Sequence, residues 1–411
     1  MNAGRCRTNR IALVGAAVIL AAIAGIALFE RYRAAPRTDE PDAAPLRLKW
    51  TYTAPRPGAA VAAPLVTDDA IYLAAIHARG FSLSGTVYAL DGTGQPRWSF
   101  DADGTMLPTA SSPTLADGRL YFGEGMHANF SCRLFCLDAA TGRQFWNFPT
   151  TDHIEGGPVV ADGLVIIPAG NDGLYAIDAI TGKQKWNFRG DLHIDSTPLV
   201  RSGRVYVGSG PSKKFATSAV VCVELATGRP MWRTPMHLPA WAPVAATGDR
   251  LFVGLGNGRL TKGAEPSEKP AGGLACLDPD SGKLLWSISA ADAVFGKPAI
   301  VGKDRIAFGS RDGDLYFYDF DGQSLSRLPL GAPIIASPLF DRDRTFAATV
   351  SGLLVRTGLG GAEQWRFELP RGSHVYAPLR VHGNELYVAA ETRLPEAAYG
   401  TVSLSCYEIQ R

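Results

Sequence analysis

The sequence predicts an all-β fold, an eight-bladed β-propeller of four-stranded blades, and three observations predict it. Seven of the eight tryptophans, Trp50, Trp98, Trp146, Trp186, Trp232, Trp286 and Trp365, stand at one position of an internal repeat. A proline fronts each copy, at Pro64, Pro113, Pro158, Pro198, Pro243, Pro298, Pro338 and Pro378, with spacings of 49, 45, 40, 45, 55, 40 and 40 residues. Those spacings suit four short strands per repeat. Segments such as VYALD and LYAID alternate between two faces, are enriched in β-branched and aromatic residues, and are bounded by DG and TG turns. That is strand patterning with hairpin chemistry, and it excludes a helical solenoid.

From the N-terminus, Arg5, Arg7 and Arg10 precede an uncharged apolar run of 19 residues, 11–29. As a helix it would be about 28 Å long, enough to cross a bilayer core. The expected order is a cytoplasmic tail (1–10), a transmembrane signal-anchor (11–29), a polar, proline-rich linker (30–45) and the propeller (46–411), giving a single-pass inner-membrane protein whose propeller lies in the periplasm or outside the cell. The competing reading is a cleaved signal peptide with Ala22-Ile23-Ala24 as the small-x-small site.

Within each repeat, the first strand lies around the proline, the second in segments such as RLYFG, the third in LYAID, and the fourth around the tryptophan. The final copy, LSCYEIQR, runs out at Arg411 before a fourth strand. LRLKWTYT near the N-terminus carries Trp50 in fourth-strand register and is expected to complete that blade, removing two exposed sheet edges. The seventh copy, LLVRTGLGGAEQW, is worn, and the sixth, LYFYDFDGQSLSRL, lacks its tryptophan.

The phrase LYALD-x-x-TG-x-x-x-W, repeated over roughly residues 46–411, resembles the pyrroloquinoline-quinone-like propeller repeat family. Its members include quinoprotein alcohol dehydrogenases and the propeller lipoprotein of the outer-membrane β-barrel assembly machine. The resemblance implies a shape and leaves the activity open. It also implies, for a working quinoprotein, adjacent cysteines in a disulfide over the cofactor. This chain has no Cys-Cys pair, so pyrroloquinoline quinone is not expected, nor is any other cofactor. No cysteine follows the apolar run, since Cys6 precedes it, which departs from a lipoprotein pattern.

Composition fits one large β domain behind an anchor: 46% hydrophobic, 19% charged, with 45 Gly and 28 Pro to supply turns. A net charge of +2 without clustered Lys and Arg gives no footprint for nucleic acid. Cys136, Cys222, Cys276 and Cys406 share one third-strand position with Ala89, Ala176, Phe317 and Val355, which reads as a packing position; Cys132 is likewise expected to be unpaired.

The long insertions, 76–85, 124–131, 211–218, 256–273 and 391–400, all join second to third strands at one end of the blades, while the opposite end has short turns. His77 and His127 fall in such loops, and His153, His193, His237 and His374 in the blade-to-blade crossings of the same face; only His382 lies opposite. His153-Ile154-Glu155 and His193-Ile194-Asp195 repeat one phrase. The candidate ligand-binding set is therefore His127, His153, Glu155, His193, Asp195, Trp241 and His374, with Glu124 as a further carboxylate. Either these pairs tie neighbouring blades together, or they form a ligand or metal site at the channel mouth. No spacing matches a dedicated zinc motif, and nucleophile elbows and phosphate loops are absent.

Two functions compete: a scaffold binding a protein or polymer of the cell envelope, without catalysis, and a ligand- or metal-binding sensor or quinoprotein-like enzyme with its site at the channel mouth. The completing strand places residue 45 at the short-turn end, so an anchored protein would hold its loop face away from the membrane.

Overall fold

A computed structural model describes residues 44–127, 129–257, 270–393, 397 and 399–410. The expected membrane-spanning segment, the cytoplasmic tail and most of the linker lie outside the described residues, as does most of the 256–273 insertion.

The described residues are all β, arranged as six four-stranded sheets and one nine-stranded sheet. Each four-stranded sheet is a sequential antiparallel meander; in one, Val159–Ala161, Leu164–Pro168, Leu174–Asp178 and Gln184–Phe188 follow in order. The repeat prolines stand at or just before the innermost, shortest strands, where a residue without an N–H costs the ladder nothing.

The nine-stranded sheet forms because the strand Leu46–Ala59 joins two sets of strands. It pairs along Gly400–Ile409, with Trp50 opposite Cys406, and then at Gly58 and Ala59 meets His77 and Ile76 of Ile71–Arg79. Apolar clusters fill the space between neighbouring sheets. One packs Tyr72 and Ala74 against Leu120 and Phe122, and another packs Leu73 and Ala75 against Tyr387 and Ala389, so the two sets of strands that Leu46–Ala59 joins also pack on each other. The Leu46 end of the joining strand lies beside the turn at Asn384, where Ile409 N–H bonds the Asn384 carbonyl. The chain therefore enters at the short-turn end.

The tryptophans lock neighbouring sheets. Six of the seven repeat indoles donate their N–H to a carbonyl in the third-to-fourth-strand turn of the following repeat, among them Trp98 to Ala139 at 3.2 Å, Trp186 to Leu225 at 2.9 Å, Trp286 to Phe320 at 3.0 Å, and, within the nine-stranded sheet, Trp50 to Gly92 at 3.1 Å. The indole lies over that turn's glycine. A Cβ on Gly182 would stand 2.7 Å from Trp146, and with φ at +71° the position suits glycine twice over. The copy without tryptophan places Ser326 there, and its hydroxyl donates to Gly360 O at 2.8 Å, a small substitute for the same bond. Trp365 Nε1 has no hydrogen-bond partner among the described residues. The strand beyond Gly400–Ile409 is Leu46–Ala59 from the other end of the chain, so no turn offers the carbonyl.

Three expectations change. Arg356, not Val355, faces Trp365, its guanidinium carbon 5.6 Å from the ring, so the worn copy is one residue out of the expected register. The 76–85 insertion is mostly strand, because Ile71–Arg79 and Ser82–Leu90 each run nine residues around a tight tip. His77 is consequently a buried strand residue, bonded to Tyr88 Oη at 2.9 Å and Arg56 O at 3.1 Å. The five described cysteines are buried free thiols, four of them directly opposite a tryptophan or beside one in the ladder.

Candidate functional site

Two crossings between sheets build the site. His153-Ile154-Glu155 and His193-Ile194-Asp195 are extended, and Ile154 and Ile194 are fully buried between sheets. Their N–H groups bond Glu124 O and Gly170 O, both at 3.0 Å. With alternate residues on opposite sides, burying the isoleucine turns the flanking histidine and acid to one common side. His127 arrives from the loop before Phe130–Asp138.

The three imidazoles meet around one carboxylate. Asp195 Oδ1 lies 3.0 Å from His153 Nε2, and Asp195 Oδ2 lies 2.8 Å from His193 Nε2 and 3.5 Å from His127 Nε2. The ligating atoms of the four residues all fall within 4.8 Å of one another. The His127 and His153 rings stack with centroids 4.9 Å apart, and Trp241 closes one side, 5.9 Å from His193. His153 and His193 are buried at 2% exposure, whereas His127 is exposed.

Each remaining ring nitrogen faces an oxygen. His127 Nδ1 bonds Glu155 Oε1 at 2.7 Å, and the same oxygen accepts the His127 backbone N–H. His153 Nδ1 is 2.7 Å from Asp152 Oδ1, off the line of a hydrogen bond, and His193 Nδ1 is 3.2 Å from Asn171 Oδ1. The Asn171 amide is held by its own bonds: Nδ2 donates to Asp152 Oδ2 at 2.6 Å and Oδ1 accepts from Ser212 Oγ at 2.7 Å.

These neighbours set the charge state. Burial opposes protonation of His153, but the carboxylates of Asp152 and Asp195 beside its ring outweigh it and push the imidazole up to about 10. Desolvation likewise opposes His127, yet Glu155 and then Asp195 raise it to about 9. Burial works to raise Asp195, and His153 and His193 hold its carboxyl far below the usual carboxylate range. Chemically, the cluster is a site for protons or for a cation.

The candidate residues divide. The structure brings His127, His153, Glu155, His193, Asp195 and Trp241 together. Glu124, although adjacent in sequence, turns to Arg133 at 2.5 Å and to the Leu107 N–H at 2.8 Å. His374 stands apart, stacked on Tyr376 at 6.3 Å, because its crossing belongs to another part of the ring. On the opposite face His382 bonds Asp68 at 2.9 Å. The sequence reading missed Asp152, Asn171 and Ser212; the only local signal was an acid directly before His153. Two open surface depressions among the described residues, one around Gly302, Asp304 and Asp343 and one around Asp101, Arg133 and Asn147, include none of the clustered histidines.

A family model described as outer membrane protein assembly factor BamB matches residues 40–131, 128–216 and 270–401, well over half of the chain. The structure is similar to BamB from Moraxella catarrhalis, with a TM-score of 0.66, 15% identity, and coverage of 89% of this chain and 98% of that one. It is similar to the computationally designed Ika8 protein, with a TM-score of 0.63, 14% identity, and coverage of 85% and 98%. It also resembles quinohemoprotein alcohol dehydrogenase from Comamonas testosteroni, with a TM-score of 0.66, 16% identity, and coverage of 89% and 76%. No curated protein matches the sequence.

Proposed function

Because this chain belongs to the PQQ-like propeller family whose model is described as outer membrane protein assembly factor BamB, we propose that it is an extracytoplasmic scaffold that docks proteins of the bacterial envelope. We read it as eight-bladed, counting the six four-stranded sheets and the two sets of strands that Leu46–Ala59 joins. Residues 11–29 would anchor it in the inner membrane. Entry of the chain at the short-turn end would then turn the loop face toward the periplasm.

One observation carries the docking reading. Ile71–Arg79, Ser82–Leu90 and Phe130–Asp138 each run nine residues where Leu174–Asp178 has five, and their loop ends expose Phe81 at 102% and Phe130 at 66%. Exposed aromatics at the loop ends of successive blades match the residue types enriched in interface cores. The adjacent-cysteine disulfide implied by the quinoprotein resemblance has no counterpart in the sequence, and the described cysteines are separate buried thiols. The reading therefore assigns no quinone.

The test places a photo-crosslinking residue at position 81 or 130 of the full chain in cells, with position 162, in a turn of the other face, as control. Protein adducts at 81 and 130, lost in Phe81→Asp with Phe130→Asp, are expected. Equal labelling at 162, or adducts only with polymer, would refute protein docking.

A further inference from the structure

We propose that His127, His153, His193 and Asp195 bind one divalent transition cation of the zinc class, tying three consecutive sheets together on the loop face. This goes beyond the docking reading and does not depend on it.

The first argument is the donor set. Three imidazole nitrogens and one carboxylate are what a tetrahedral zinc-class ion takes, at about 2.0–2.2 Å from the metal, which puts neighbouring ligands about 3.3–3.6 Å apart. The Asp195 oxygens already stand 2.8 to 3.5 Å from the three Nε2 atoms. All four ligating atoms lie within 4.8 Å of one another, so small side-chain shifts would bring them onto one ion.

The second argument is an unsatisfied contact. Asn171 is fixed so that its oxygen, an acceptor, faces His193 Nδ1, which therefore carries a proton. His193 Nε2 stands 2.8 Å from Asp195 Oδ2, and neither buried atom has a hydrogen-bond partner among the described residues. A buried polar pair left without a hydrogen bond is costly. A cation held between the two atoms removes that cost.

The third argument is the outer shell. Ligating histidines turn their second nitrogen to a carboxylate or carbonyl, which fixes the tautomer and strengthens the ligand. Glu155, Asp152 and Asn171 stand in those places for His127, His153 and His193. Glycines make room: a Cβ on Gly125, at φ +97°, would come within 3.0 Å of His153 Cβ, one on Gly170, at φ +48°, within 2.8 Å of the Asp152 carboxyl carbon, and one on Gly210 would strike the Trp241 ring. The site is thus preshaped rather than assembled by chance.

The full chain, purified and stripped with chelator, is titrated with cobalt(II) and then with zinc. One cobalt per chain is expected, with the intense visible bands of a tetrahedral ion, displaced by zinc. Glu155→Gln should weaken binding by about 10–100-fold. His127→Ala, at an exposed position that leaves the core intact, should weaken it further, and His382→Ala should change nothing. Absence of stoichiometric binding, an octahedral spectrum, or His127→Ala binding as tightly as the natural chain would overturn the proposal.

Discussion

Changing Trp186 and Trp365 separately to phenylalanine should have unequal effects, although both occupy the same repeat position. Trp186 is 8% exposed, its indole N–H donates to Leu225 O at 2.9 Å, and its ring covers Gly228, where a Cβ would stand 2.6 Å away. Trp186→Phe leaves that carbonyl without its donor, costing about 1–3 kcal/mol. Shrinking the ring removes apolar contact worth roughly 1–2 kcal/mol more. Trp365→Phe loses ring area as well, but its Nε1 is buried without a partner, so the change deletes a desolvated donor rather than a bond. Its aromatic face also stays available to Arg356. The expected difference between the two variants is about 1–3 kcal/mol, read from urea unfolding midpoints at fixed slope. Equal losses, or a larger loss at Trp365, would refute the view that the indole-to-carbonyl bond, and not ring packing alone, couples neighbouring sheets.

Two further outcomes follow from the electrostatics. Burial pushes the Cys132, Cys222 and Cys276 thiols up to about 12, so thiol reagents should leave these three sites unlabelled in the native protein at neutral pH and label them after denaturation, read site by site by peptide mass spectrometry; rapid native labelling at these sites would contradict the packing assignment. Without a bound metal, the carboxylates around them outweigh burial and push His127 up to about 9 and His153 up to about 10, above the ordinary value near 6.5. The folded state therefore binds more protons than the unfolded state. Their contribution is complete below about 6.5 and is lost as pH rises through the folded values. The melting-temperature gap between the natural chain and His153→Gln should narrow from pH 7 to pH 10; a constant gap would show that these protons do not stabilise the fold.

Much of the fold was legible because its signals are local. Alternating strand residues, TG turns and the proline before each inner strand act over a few positions, and the tryptophan repeat reports the coupling of neighbouring sheets through a single bond and a single glycine. The failures are of one kind. His77 was placed in a loop because sequence does not say how far a hairpin continues, and Val355 was aligned by spacing where pairing shifted the register by one residue. At the site, the two crossing phrases identified the correct end of the blades. They could not separate His374 or Glu124 from the residues that converge, since position around the ring leaves no trace in a periodicity along the chain.

The chain by itself determined a repeated four-strand unit, the face that carries its irregular residues, and the strand that brings its two ends into one sheet, because each follows from alternation, turn chemistry or hydrogen bonding between neighbours. Only the tertiary structure decided that His127, His153 and His193 surround Asp195 with Asp152, Glu155 and Asn171 behind them. Those residues come from three successive sheets, and their meeting depends on the angle at which one sheet packs on the next.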